Sequence, residues 1–524
     1  MPRGFQLGLL VIALVSGVGG CSPLRDWVRK GFKVGPDYSA PPMAVGEDWI
    51  DAGNPALATG HVDEGAWWRA LEDPVLDDLT RQVRKSNWKL RELGARILAS
   101  RAQLDHTKGR LFPQHQAING SYSRHVFNFD NGPLPAELLS ILGYNRYYNT
   151  GLASLAAGWE MDFWGKYRRA IESQSAELDA AVASRDQGMV LLQAEVASAY
   201  VDYRVAQGQL SLAKRLADFE AELVRLSRIK FEEGATSEVD TRTSETAFQS
   251  TLAKLRDYEL RARLAMNRIS VLTGRPPENL DKELGQGGLP NLPTNLVTGI
   301  PAELIRRRPD LREAERTVAA QSARIGVATS ELLPAFSVNG NIGVYYSTLG
   351  NYASTGSLTG SVGPSIQWNV LNYGRLLAKV RYEDAKFTEA VASLENRTLE
   401  AQREVEDAII SYIKSGEIAT ELTKGAVAAR RAMELGVTQY RENTVNYLWV
   451  YNLERALAGV LEQLIHTRGQ QLHAVVDTYK SLGGGWNIPD GLEIEHAPVP
   501  PGALPKPRSV QIEDLPLPRV KIKD

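Results

Sequence analysis

Apolar side chains recur at alternating spacings of three and four along two long stretches of this chain. In the first, Met189, Leu192, Val196, Ala199, Tyr203, Ala206, Leu210, Ala213 and Ala217 follow that rule. At an offset of 209, Thr398, Ala401, Val405, Ala408, Tyr412, Ser415, Ala419, Leu422 and Ala426 repeat it. Such sustained spacing predicts long helices packed as coiled coils, with the knobs of one in the holes of the next. Many knobs are alanine, which favours close approach. A second stripe, Val205, Leu212, Leu216, Phe219, Leu223 and Leu226, lies on another face. A helix with two seams has neighbours on both sides, as in a wall. Proline is absent between Pro135 and Pro276 and again between Pro364 and Pro489, so nothing interrupts such helices. A helix over 166–233 would run roughly 100 Å, far beyond the needs of a globular domain.

Between the helical stretches the period changes to two. "AFSVNGNIGVYY" puts Phe336, Val338, Ile342, Val344 and Tyr346 on one face and Ser337, Asn339, Asn341 and Gly343 on the other. "SLTGSVGPSIQWNV" sets Leu358, Val362, Ile366, Trp368 and Val370 opposite Thr359, Ser361, Ser365, Gln367 and Asn369. The earlier "GLASLAAGWEMDF" places Leu155, Trp159, Met161 and Phe163 together, while its neighbour near 117–129 alternates less cleanly. One greasy and one polar face suits either a membrane barrel wall or a soluble sheet lying on a core.

The two halves align. "LRELGARILASRAQLDHTKGRLFP", ending at Pro113, registers on "LREAERTVAAQSARIGVATSELLP", ending at Pro334, at a shift of 221. Further on the shift is 209: Trp159 falls on Trp368, Gly165 on Gly374, Phe231 on Tyr440 and Gly274 on Gly483. The chain reads as a tandem duplication whose first copy carries 12 extra residues between Pro113 and Trp159. The expected division is a first repeat at 67–275, with strands at about 114–165 and a hairpin tip near 231–240. A linker follows at 276–300. The second repeat spans 301–486, with strands at about 335–374 and a tip near 440–449.

The sole cysteine changes the picture of where this happens. "MPRGFQLGLLVIALVSGVGGCSPL" has a charged start at Arg3, an apolar run too short to span a bilayer, and small residues before Cys21. It reads as a lipoprotein signal at 1–20 with Cys21 as the acylated first mature residue, heading an anchor segment over 21–66. Acyl chains would hold the protein on a membrane durably. The alternative is an ordinary cleaved signal with an incidental cysteine. No later stretch is apolar for long enough to be a transmembrane helix, so passage through a membrane would fall to the strands. Four strands cannot close a barrel, and open edges are not tolerated in lipid. The chain must therefore oligomerise; three copies would supply twelve strands and one pore.

"VGPDY" at 34–38, "WWRALEDPVLDDL" from Trp67, "WEMDFWGKYR" from Trp159, "LIRRRPDLREAE" from Leu304, "LNYGR" from Leu371 and "LGGGW" from Leu482 resemble, in order, the signatures of the TolC/NodT family of outer-membrane efflux lipoproteins. The resemblance implies a mixed fold: a homotrimer with a shared 12-stranded outer-membrane β-barrel on a long α-helical coiled-coil tube in the periplasm. Its implied partners are outer-membrane lipid, a periplasmic adaptor (membrane fusion) protein and an inner-membrane RND-type transporter. Ser22, where an aspartate would often retain a lipoprotein in the inner membrane, fits that destination.

Individual motifs have physical readings as well. Pro309 with Asp310 reads as a helix start, and the arginines before it as solvated or ion-paired. Trp159, Trp164, Trp368 and Tyr373 come where strand passes to helix, as in an aromatic belt, with core packing as the competing reading. At the tips, Gly234 and Asn443 can take the left-handed conformation that closes a helix, and Ser237 with Asp240 resembles a helix cap. By resemblance Gly234, Ala235, Thr236, Ser237, Asn443, Thr444 and Val445 are adaptor-docking candidates. Asp240, Trp449 and Asn452 are gate candidates. Asp240 matches an acidic tip position of the family, whereas Trp449 and Asn452 stand where relatives often carry aspartates, which suggests a bulkier, less charged constriction. A plain capped turn is the competing reading.

The net charge of −2 gives no argument for nucleic acid. No HExxH, phosphate-binding loop, cysteine nucleophile or serine elbow occurs, so neither an enzyme, a cofactor nor a metal site is expected. The tail at 487–524 holds eight prolines and should be extended or disordered. Three functions fit: a passive efflux duct, an exit for secreted proteins, and a scaffold lipoprotein without a pore.

Overall fold

The computed structural model describes residues 22–59, 65–126, 141, 147–293, 295–298, 307–346, 358–442 and 444–486. The leader with Cys21, the tip residue Asn443 and the proline-rich tail lie outside the described residues. Helix α1 (Ser22–Arg29) and strand β1 (Leu57–Thr59) precede the first half. That half runs α2 (Pro74–Ser86), α3 (Trp88–Gly109), β2 (His115–Val126), β3 (Tyr147–Met161), α4 (Lys166–Glu232) and α5 (Glu238–Leu272). Short α6 (Asp281–Leu284) and β4 (Leu296–Thr298) lie within 276–300. The second half runs α7 (Pro309–Ser330), β5 (Ala335–Tyr346), β6 (Leu358–Gln367), α8 (Arg375–Arg441) and α9 (Tyr447–Ser481).

Element lengths repeat between halves. Both α4 and α8 have 67 residues, both α5 and α9 have 35, and both α3 and α7 have 22. Each long helix is therefore roughly 100 Å. The unequal parts are the connection between the strands, spanning 127–146 in the first half and 347–357 in the second, and the strand after it, with 15 residues in β3 and 10 in β6. The seam read from sequence is the packed one: every knob from Met189 to Ala217 is buried except half-buried Leu210, and in the second half only Leu422 is not fully buried.

These helices form two tiers of a wall. In the lower tier α5 lies along α4, with Leu255 and Tyr258 against Leu210 and Ala213. The second stripe of α4 meets the other hairpin, where Phe219, Leu223 and Leu226 join Met433, Tyr440, Tyr447 and Val450. In the upper tier α7 fills the gap between α4 and α8, placing Ala319 and Ala320 on Ala176, and Ala314 and Val318 on Leu394. The order across the wall is thus α3, α4, α7, α8 above and α5, α4, α9, α8 below. The sheet has the matching order β2, β3, β5, β6, all antiparallel. In every layer the first half supplies one edge and the second half the other.

Corresponding joints close each half. Asn87, just before α3, donates through Nδ2 to the Leu272 carbonyl at 2.8 Å; Arg308, just before α7, donates through Nη1 to the Ser481 carbonyl at 2.9 Å. Close packing here demands glycine, since a Cβ at Gly274 would lie 2.3 Å from the Ser86 carbonyl oxygen. Arg308 also pairs with Asp310 at 2.8 Å and Glu404 at 2.9 Å, as a buried guanidinium requires. Pro309 opens α7, as its missing N–H allows.

The N-terminal segment straps the two halves together. Trp27 packs on Phe163 and Trp164, beside the base of β3. Buried Arg169 holds the Val34 carbonyl at 3.0 Å and Asp37 at 2.7 Å. Farther along, Gly46 N–H donates to Gln402 and Ile50 N–H to Glu406, so the strap crosses from α4 to α8.

Candidate functional site

Strand register decides what the sheet can do. Pairing aligns Ile118 with Leu155, Leu155 with Ile342, and Ile342 with Gly360; on the same face Trp159 meets Val338, and Phe336 meets Ile366. The opposite face carries Asn119, Ser121 and Ser123 on β2, Ser337, Asn339 and Asn341 on β5, and Thr359, Ser361 and Ser365 on β6. Among the described residues nothing covers the apolar face: Ile118 is 87% exposed and Val362 81%. Among the described residues, edge strands β2 and β6 each have one neighbour, which leaves a row of unpaired backbone groups on each side.

The aromatic residues sit at the base of this sheet. Trp159 donates its indole N–H to the Leu111 carbonyl at 3.1 Å, and Trp368 does the same to Leu332 at 3.0 Å. Trp164 donates to the Pro334 carbonyl at 2.8 Å and is half-buried among Trp27, Phe163 and Phe336. Tyr373 is fully exposed, in the turn before α8. Apolar rings with anchored polar edges suit the boundary between hydrocarbon and water.

At the other end of the wall lie the two hairpin tips. Gly234 is left-handed with φ +74°, and Ala235 N–H donates to the Lys230 carbonyl at 2.7 Å. Ser237 caps α5 by accepting from Asp240 N–H, and Asp240 accepts from the Thr236 hydroxyl at 2.5 Å. In the second tip Thr444 bonds back to the Gln439 carbonyl, half-buried Val445 joins the apolar cluster, and Asn446 caps α9 by accepting from Trp449 N–H at 3.2 Å. The first long helix ends at Glu232, one residue from the expected 233, and α5 begins at Glu238 behind its Ser237 cap. Phe231, Tyr440 and Trp449 are helical, because the seam continues through Tyr440 and Tyr447 and keeps those turns packed. Trp449 is 53% exposed and Asn452 is exposed, both in the first turns of α9, where Trp449 corresponds to Asp240 of α5 at the shift of 209. Lys230 ties the tips together, donating to the Tyr440 carbonyl at 2.9 Å with its ammonium over the Tyr440 ring. Burial and the nearby Asp240 charge raise the Tyr440 hydroxyl above its ordinary range.

The outer membrane efflux protein model matches residues 79–275 and 300–484. The chain belongs to the outer membrane efflux protein family. It is 29% identical over 479 residues to nodulation protein T of Rhizobium leguminosarum bv. trifolii, spanning 89% of this chain and 97% of the relative. It is 28% identical over 502 residues to the antibiotic efflux pump outer membrane protein ArpC of Pseudomonas putida, spanning 94% and 98%. Among solved structures, the outer-membrane channel OprN superposes with a TM-score of 0.79 at 31% identity, over 86% of this chain and all but 1% of that one, which is covered to 99%. The CmeC channel of Campylobacter jejuni, at 18% identity and a TM-score of 0.76, over 86% of this chain and 95% of that one, shares the fold. The family members are outer-membrane channels rather than enzymes. An outer membrane efflux protein with these helices extends a long helical tube into the periplasm.

One feature of the tube escaped the sequence reading. Glu220 and Glu454 occupy seam positions on α4 and α9, where the spacing Ala213, Ala217, Glu220, Val224 and Tyr447, Val450, Glu454 would have found them. Both are buried, and burial together with the facing Glu220 pushes the Glu454 carboxyl up to about 8.

Proposed function

We propose that three copies of this chain close edge to edge into a passive exit duct of a tripartite efflux pump. The observation that carries this reading is the open sheet, with an exposed apolar face and an unpaired strand at each edge. Edges of different kinds on one subunit build a ring by head-to-tail contacts. Two copies would give a barrel whose side chains fill it; three are the fewest that leave a lumen. The two halves derive from tandem duplication, so the ring has six near-equivalent hairpins.

Acylated Cys21 anchors each subunit in the outer membrane. The strap supports this, because α1 follows Cys21 directly and rests beside the sheet base through Trp27. Trp159, Trp164, Trp368 and Tyr373 mark the membrane boundary. The tips, with Gly234, Ala235, Thr236, Ser237, Asn443, Thr444 and Val445, dock the adaptor. Asp240, Trp449 and Asn452 narrow the duct. An inner-membrane RND-type transporter supplies the energy and the substrate choice, and drugs or other small molecules pass without chemistry.

Trp449→Ala removes a bulky ring from each of three subunits at the constriction. Spontaneous openings in a planar bilayer should become roughly 5- to 30-fold more frequent, the effect of one or two kcal/mol on a two-state ratio. Unchanged openings would remove Trp449 from the gate. In cells, loss of the gene should raise drug accumulation, and cross-linking should retain a drug transporter and its adaptor. Loss of protein secretion with drug accumulation unchanged would instead identify a secretion channel.

A further inference from the structure

An acidic pair is buried where the two hairpins meet. Glu220 of α4 and Glu454 of α9 are 6% and 3% exposed and face one another at the edge of a cavity of about 500 Å³ bounded by α4, α5 and α9. Among the described residues no outside donor reaches either oxygen of Glu454 or Oε2 of Glu220; Thr251 of α5 bonds Glu220, and the two carboxyl groups lie within hydrogen-bond reach of each other. From α5, Lys254 approaches Glu220, yet its ammonium is held at 3.0 Å by Glu462, which also takes the Tyr258 hydroxyl. From α9, Tyr447, Tyr451 and Arg455 border the pair, and among the described residues the Tyr447 hydroxyl has no partner either. Two carboxylates in such a place cannot both ionise cheaply.

We propose that Glu220 and Glu454 share one proton and form a latch in the tube wall, closed when the acid of one donates to the carboxylate of the other and released when that proton leaves. This rests on the reading of the tips as a gate, since release frees α9 to swing away from α4 just above them. The direction with pH follows from linkage. In the closed wall the pair holds its proton up to about pH 8, whereas separated in water a glutamate loses it near its ordinary value of 4.5. The closed wall therefore binds the extra proton between those limits, and its stability falls as pH rises through that window. The latch is firmest in acid and spent above about pH 8. The raised value belongs to the pair rather than to Glu454 alone.

The test uses the full-length trimer, native and with Glu454→Gln or Glu220→Gln, in bilayer recordings and thermal melts from acid to alkaline pH. In the native protein each latch should release about tenfold more readily per pH unit up to its midpoint. Openings should rise and the melting temperature fall together, then level off. Either glutamine, which donates a hydrogen bond at every pH, should flatten both profiles and keep the tube shut in alkali. A melting profile of the same slope in native and variant proteins would overturn the latch. A shift produced by calcium or a chelator at fixed pH would overturn it too, assigning the pair to a cation. Silent bilayers combined with a melting slope that the variants lose would uphold the latch and count against the gate.

Discussion

Protein carrying arginine at both Leu155 and Ile342 is expected to reach the periplasm but not to form an inserted, heat-resistant oligomer. The two side chains lie directly opposite each other on β3 and β5, on the face made of Ile118, Trp159, Val338 and Ile366, and both are more than half exposed in the single chain. In a barrel wall that face meets hydrocarbon. An arginine near the bilayer midplane costs about 2–4 kcal/mol. Two per subunit in three subunits multiply that cost six times, which exceeds the stability of most folded domains. Ser123→Arg is the matched control, because Ser123 lies on the opposite face of β2. That variant should insert normally and alter only conductance or ion preference. Equal insertion of both would show that the apolar face does not meet lipid.

Replacing Val427 and Leu435 of α8 by arginine should leave a folded monomer that cannot close the tube. Both residues are about half to two-thirds exposed, on a helix that packs against α7, α9 and the N-terminal strap but leaves the flank carrying Val427 and Leu435 uncovered among the described residues. In the ring proposed above the complementary edge would be α5, whose Val239, Leu260 and Leu264 are likewise exposed. Burying such side chains against a neighbouring copy contributes about 1.5–3 kcal/mol each, and an unpaired arginine would forfeit that and add a desolvation cost. Size-exclusion chromatography with light scattering should report a monomer with native helix content. A trimer of unchanged stability would place the subunit contact elsewhere.

How much was legible in the sequence differs from element to element. The seams from Met189 and from Thr398 were readable almost residue by residue, because coiled-coil packing repeats one local rule and burial follows it. The faces of β3, β5 and β6 were readable for the same reason with a period of two. Strand β2 was less so, since Arg124 interrupts its apolar face near the rim. Caps at Ser237 and the left-handed Gly234 are local and were found. What depends on distant partners was not. Nothing near Arg308 announces Ser481 and Glu404 as its partners, and nothing in "VGPDY" says that Val34 and Asp37 will be held by Arg169. The acidic pair fell between these cases: each glutamate sits on a readable seam, but only the packing of α9 on α4 makes them neighbours.

The most direct measurement is single-channel current through the purified, lipidated protein in a planar bilayer, with the number of subunits counted on the same sample. The expected record is a trimer that inserts and shows brief, rare openings of uniform size. A protein that inserts as a trimer yet stays sealed under every voltage and pH, even with its tips cut away between Glu232 and Glu238, would contradict a duct through the shared barrel.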